Sequence, residues 1–202
     1  MNKKYDLIVV GGGFAGTAAA VESARKGLQV LLVEKFNCLG GAASGALVLP
    51  FMSYWTLDPE TEQPRFLAGS VFMEIVEQLR SFGALKEDGK VFDEEYLKLV
   101  LNRLCLDAGV ELLFNTTVTK AHTQDGKILS LEAWGKSRRL ELRADNFIDA
   151  TGDAELSVLA GCRCRVGREE DGLCQPMTLS FRLGGVDMER YPEDRADMQA
   201  LY

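Results

Sequence analysis

The stretch from Asp6 to Glu34 constrains this chain more than any other. Residues 6–10, Asp-Leu-Ile-Val-Val, form a short apolar run of strand character that stops at Gly11-Gly12-Gly13-Phe14-Ala15-Gly16. Small, helix-compatible residues follow from Thr17 to Val21, and Gly27 suits a helix C-terminus. Leu28 to Val33 is a second apolar run, and it ends in Glu34. The order strand, glycine turn, helix, strand, acid predicts a parallel βαβ unit and therefore an α/β domain.

Each piece has a physical task in holding a dinucleotide. Gly11 permits the tight turn off the strand, Gly13 lets the backbone approach a pyrophosphate, and Gly16 lets helix and strand pack closely. Phe14 and Ala15 open the helix, whose free N–H groups and positive dipole end favour phosphate. Glu34 stands about twenty residues beyond the glycines, where a carboxylate accepts both hydroxyls of an adenosine ribose and repels a 2′-phosphate. Lys35 follows it as a further candidate contact. This unit alone fits NAD and FAD equally.

Three further segments separate them. Gly40-Gly41, just past the acid, resembles the second phosphate and flavin contact of the glutathione-reductase and fumarate-reductase flavoprotein superfamily. Asn115-Thr116-Thr117-Val118 resembles the strand whose valine backbone meets the adenine there. Asp149-Ala150-Thr151-Gly152-Asp153 resembles the A-T-G strand end that returns beside the flavin. With Phe92-Asp93 opening a helix and Gln175-Pro176-Met177-Thr178, the chain resembles, over nearly its whole length, the FAD-dependent oxidoreductases related to the flavin domain of heterodisulfide reductase and often labelled xanthan-lyase-like. The resemblance implies FAD as cofactor, with Gly40, Gly41, Val118, Thr151, Gly152 and Asp153 beside it. An iron–sulfur cluster is an association of that family, not a reading of these residues.

Helical stripes over 70–82 and 93–108 each end at a glycine, Gly83 and Gly109, and Glu111 to Phe114 reads as a third parallel strand. Strand-like runs at 116–123, 127–134 and 138–143, divided by Asp125-Gly126 and Gly135-Lys136, predict an antiparallel β-meander capping one side of the sheet, after which Phe147 to Ala150 rejoins it. Residues 45–69 read as a long irregular segment on the flavin side. The expected fold class is thus α/β: a Rossmann-like FAD-binding domain over 1–174 with a meander at about 116–143, then the start of a substrate domain over 175–202, opened by a strand at Met177 to Leu183. The family's members are considerably longer, so a truncated member or N-terminal fragment is expected.

A net charge of −7 makes nucleic acid a poor partner, and no apolar run reaches the roughly 18 residues of a spanning helix. The N-terminus lacks signal-peptide order, and five cysteines without paired spacing favour reduced thiols, so a cytoplasmic location is expected. Cys38 has no second cysteine near it and reads as a packed thiol; Cys162, Cys164 and Cys174 lack C-x-x-C spacing and a fourth ligand, so no metal is assigned. His122 reads as exposed and idle, Arg138-Arg139 with Lys136 as a solvated turn, and Asp153 as the cap of a helix at 154–160. No catalytic residue is assigned.

The expected function is hydride transfer between an organic small molecule and the flavin, with the electron acceptor unidentified. Two other readings stay open: a non-catalytic fragment or subunit completed by a partner, and an NAD-binding dehydrogenase domain. Self-association, or a partner subunit covering the missing domain, is expected of a chain that stops at Tyr202.

Overall fold

In a computed structural model of the chain, residues 3–187 are described. Strand β1 (Lys4–Val10) leads through the glycine turn into helix α1 (Phe14–Arg25) and returns as β2 (Val30–Val33). Both strands are apolar on successive residues because each is covered on both faces: Leu7, Val9, Val30 and Leu32 point to one core, and Ile8, Val10, Leu31 and Val33 to the other. A four-residue turn of helix, α2 (Ala42–Gly45), and a small hairpin, β3 (Trp55–Leu57) with β4 (Pro64–Phe66), follow. The segment read as wholly irregular therefore holds a two-stranded pairing, with Trp55 opposite Phe66.

Helices α3 (Val71–Ser81) and α4 (Glu94–Asp107) sit with α1 on the first face. Their apolar stripes bury Ile75, Val76 and Leu79 on α3 and Leu97, Leu101 and Leu104 on α4. Asp93 caps α4, its Oδ1 accepting from the N–H groups of Glu95 and Tyr96 at 2.8 and 3.2 Å. Phe51, from the segment after α2, joins Phe14, Phe72 and Phe92 in an aromatic cluster, with ring centroids 5.8, 5.1 and 4.4 Å away. The Phe14 ring thus anchors the glycine turn to the core.

Strand β5 (Glu111–Leu113) pairs parallel to β2, and then β6 (Thr117–Gln124), β7 (Lys127–Trp134) and β8 (Arg139–Asp149) form the meander. Asp125 and Gly126 both take positive φ, 51° and 75°, the conformation a two-residue hairpin requires. The expected break after Arg143 does not occur. β8 is one eleven-residue strand whose first half pairs antiparallel to β7 and whose second half pairs parallel to β1, from Lys4↔Arg143 to Val10↔Asp149. Ala144, Asp145 and Asn146 are poor strand formers, but pairing with β1, an ion pair between Lys4 and Asp145, and a bond from Asn146 to the Asp6 carbonyl override that preference. The meander joins the sheet, in the order β5-β2-β1-β8-β7-β6, and its Ala121, Leu131, Leu140 and Leu142 cover the second core.

Helix α5 (Glu155–Leu159) follows, and from there to residue 187 the described chain contains no regular element. The strand expected at Met177 to Leu183 is absent: its alternate residues Met177, Leu179, Phe181 and Leu183 are all exposed, so no sheet or core partner stabilises it. Residues 188–202 of the expected second unit lie outside the described residues.

Candidate functional site

At the carboxyl ends of β1, β2 and β8 lies a cleft of about 370 Å³. The chain runs outward from β1 to β2 and β5, then returns on the other side as β8, so the cleft sits where the strand order reverses. That is where an open α/β sheet binds ligands, because the loops leaving neighbouring strands diverge there.

The glycine turn forms one wall, and its glycines differ in what they face. Gly11 takes φ +101°, and a Cβ there would stand 2.3 Å from the Ala150 carbonyl oxygen; one at Gly16 would stand 1.9 Å from the Gly11 carbonyl oxygen. Internal packing alone demands both. A Cβ at Gly13 would meet nothing within 4 Å, and because Gly13 lines the cleft a side chain there would enter the cleft and not the protein core. Gly13 also starts α1 with no side-chain cap, leaving first-turn N–H groups for an anion. Of the other expected contacts on this turn, Phe14 faces the aromatic core, and neither Ala15 nor Gly16 lines the cleft.

Glu34 is the buried acid of the site, 5% exposed. Its Oε2 accepts from Gly12 N–H at 2.6 Å and its Oε1 from Phe36 N–H at 2.8 Å, which leaves a lone pair on each oxygen for a ligand hydroxyl. The carboxylate therefore ties the glycine turn to the end of β2 as well as facing the cleft, a double duty that spacing does not reveal. Gly40 does not line the cleft, but its N–H donates to the Gly12 carbonyl at 2.8 Å and holds Gly41, which does, against the turn. Val118, with Thr116 and Thr117, forms the wall beyond Glu34.

Ala150, Thr151 and Gly152 close the opposite side. Asp153 does not line the cleft, and it does not cap α5: the residue at the cap position is Ala154, in the left-handed conformation at φ 57° with no side-chain bond. The helix is held from further upstream. Asp149 Oδ1 accepts from the Thr151 N–H and hydroxyl at 3.0 and 2.7 Å, and its Oδ2 from the Ser157 N–H and hydroxyl at 2.8 and 2.7 Å. Burial pushes this carboxyl up, but the bonds from Thr151 and Ser157 outweigh it and hold it below its ordinary value. Lys35 Nζ reaches Glu155 Oε1 at 2.9 Å, and both line the cleft; the hydrogen bond to Glu155 holds the Lys35 ammonium above its usual range. Nothing local signals that pair, because its members are 120 positions apart.

Other expectations change with the geometry. His122 Nε2 lies 2.6 Å from Glu132 Oε1, which also receives Arg139 at 2.7 Å, so both belong to a surface network on the meander, and Arg139 begins β8 instead of lying within the turn. Cys38 is half-buried, with Sγ 3.9 Å from the Ser44 hydroxyl. Among the described residues, no three His, Cys, Asp or Glu side chains converge as a metal ion would need, and no helix is long and apolar enough to cross a membrane.

Residues 6–201 match the family model described as FAD dependent oxidoreductase. The chain is 26% identical over 201 residues to digeranylgeranylglycerophospholipid reductase 1 of Methanococcoides burtonii, covering 94% of this chain and 47% of that protein. It spans about half the length of the curated relatives it matches. The fold is similar to a geranylgeranyl bacteriochlorophyll reductase-like protein of Thermoplasma acidophilum, with TM-score 0.54 at 22% identity over 80% of this chain and 43% of that one. It is also similar to glycerol-3-phosphate dehydrogenase of Bacillus halodurans, solved with FAD, with TM-score 0.53 at 18% identity over 79% and 37% of the two chains.

Proposed function

The chain belongs to the FAD-dependent oxidoreductase family, whose cofactor is FAD, and on that premise we propose that the cleft beside Gly13 and Glu34 is its flavin dinucleotide site, serving hydride transfer with an organic small molecule. The observation that carries the assignment is the empty volume at Gly13, the one glycine of the turn's G-x-G-x-x-G pattern that protein packing does not require. FAD supplies the two-electron chemistry when bound. The chain's own residues bind and orient it: Gly13 and the start of α1 receive the pyrophosphate, Glu34 the adenosine ribose hydroxyls, Val118 the adenine, and Gly41, Thr151 and Gly152 the remaining walls. Phe14, Gly16 and Gly40 act behind the surface by fixing the turn.

The reading extends to setting and partners. Five unpaired cysteines support a cytoplasmic location, and the exposed apolar residues Met177, Leu179, Phe181 and Leu183 support a covering partner or self-association. Domain limits at 1–174 and 175–202 are consistent with α5 being the last regular element described.

Gly13→Val tests the assignment. Its Cβ enters open space beside the cleft, so thermal stability should hold within about 1 kcal/mol, the range of a substitution away from packed neighbours. FAD binding, followed by the change in flavin fluorescence, should collapse. Retention of FAD with parental affinity would overturn the site.

A further inference from the structure

We infer that Asp149 is a positioning residue of the cofactor cleft: from behind the wall, it holds the Thr151–Gly152 turn and the first turn of α5 in the shape the bound cofactor needs. This rests on the cleft being the FAD site.

Asp149 itself does not line the cleft. Both of its oxygens are fully engaged, Oδ1 by the Thr151 N–H and hydroxyl and Oδ2 by the Ser157 N–H and hydroxyl, all between 2.7 and 3.0 Å. The Thr151 hydroxyl passes the constraint on, accepting from the Glu155 N–H at 2.8 Å. Those bonds replace the cap that α5 lacks, since Ala154 enters the helix left-handed and offers no side-chain acceptor. On the other side the turn is held by a backbone bond and by packing: Ala150 N–H donates to the Val10 carbonyl at 2.8 Å, Val10 pairs in register with Asp149, and the Ala150 side chain packs against the first core.

One carboxylate thus sets a whole side of the cleft. Thr151 hangs directly on it, Gly152 follows as the next residue of the chain, Glu155 is tied through the Thr151 hydroxyl, and Lys35 through its 2.9 Å bond to Glu155. An isosteric amide cannot do this. Asparagine can turn its oxygen to Thr151 or to Ser157, and its NH₂ then meets the other N–H, donor against donor. Because a buried polar group left without a partner forces the chain to rearrange, the expected response is movement of the wall and not merely a weaker bond.

The test uses the full 202-residue chain with Asp149→Asn, Ser157→Ala, Ser157→Thr and, as a destabilised control remote from the cleft, Ile75→Val. Titration with FAD followed by flavin fluorescence should show affinity about tenfold or more weaker for Asp149→Asn and a few-fold weaker for Ser157→Ala. Ser157→Thr keeps the hydroxyl and should bind as the parent does. The Ile75→Val control should melt earlier yet bind FAD unchanged, which separates positioning from general loss of stability. Amide hydrogen exchange of the apoprotein gives a readout without cofactor: in Asp149→Asn, Thr151, Glu155 and Ser157 should lose protection while β1 and β2 keep theirs. Parental FAD affinity in Asp149→Asn, or equal weakening in Asp149→Asn and Ile75→Val at equal loss of stability, overturns the inference while the cleft assignment stands. A parent chain that binds no FAD overturns both.

Discussion

Replacing Glu34 by glutamine removes a charge and one acceptor from the cleft while keeping the side chain's size. In the parent, two backbone N–H groups, those of Gly12 and Phe36, depend on its two oxygens at 2.6 and 2.8 Å, in a side chain only 5% exposed. Glutamine can satisfy one of them, and its NH₂ confronts the other. An unsatisfied buried N–H costs about 1–3 kcal/mol, and the bond that survives loses its charge assistance. The apoprotein should therefore lose about 2 kcal/mol; at roughly 2–4 °C per kcal/mol for a chain of this length, the melting temperature falls by about 4–8 °C. FAD affinity should fall as well, by about tenfold to a hundredfold, because a ribose hydroxyl loses a charged acceptor worth about 1.5–3 kcal/mol. Thermal unfolding by circular dichroism and fluorescence titration with FAD measure the two effects separately. An unchanged melting temperature would refute the argument that Glu34 clamps the glycine turn to β2. Unchanged FAD affinity would refute its role toward the ribose.

Gly16→Ala places a methyl group 1.9 Å from the Gly11 carbonyl oxygen, so this substitution, unlike one at Gly13, should yield protein that is unfolded or strongly destabilised before any cofactor is added, as judged by urea melts. Asp149 has a folded-state pKa below its unfolded value, so its contribution to stability is fully present above about pH 4 and is lost as pH falls through the folded value. The stability gap between the parent and Asp149→Asn should accordingly stay constant near neutrality and shrink below about pH 4 in denaturant titrations; a gap that persists at lower pH would contradict the assignment. Burial pushes the Cys105 thiol up to about 12, so at pH 8 a chromogenic disulfide should titrate the exposed Cys162, Cys164 and Cys174 promptly and Cys105 only on unfolding.

The βαβ unit, the two helical stripes and the Asp125-Gly126 hairpin were legible in the sequence because each depends on contacts within a turn or two, or on a glycine that a tight bend demands. The position of the cleft followed from the same local signals, since Gly11, Gly13 and Glu34 lie on one strand–turn–helix–strand unit. The strand read at Met177 to Leu183 shows the limit of that approach. Its apolar alternation is genuine, but alternation makes a strand only when an edge accepts it, and among the described residues none does.

The linear pattern by itself determined that the chain would build a parallel α/β core with a glycine turn and an acid at one end of the sheet, because periodicity and turn chemistry are properties of neighbouring residues. Only the tertiary structure decided which of those residues line the cleft and which hold others in place. Phe14 goes to the aromatic core, Gly40 ties one loop to another, Asp153 leaves the capping of α5 to Asp149, and Lys35 finds Glu155 across 120 positions. It also decided that β8 runs unbroken past Ala144 and Asn146, since the pairing energy comes from β1, laid down more than a hundred residues earlier. Contacts of that range are set by the register and crossing of strands, and no local spacing encodes them.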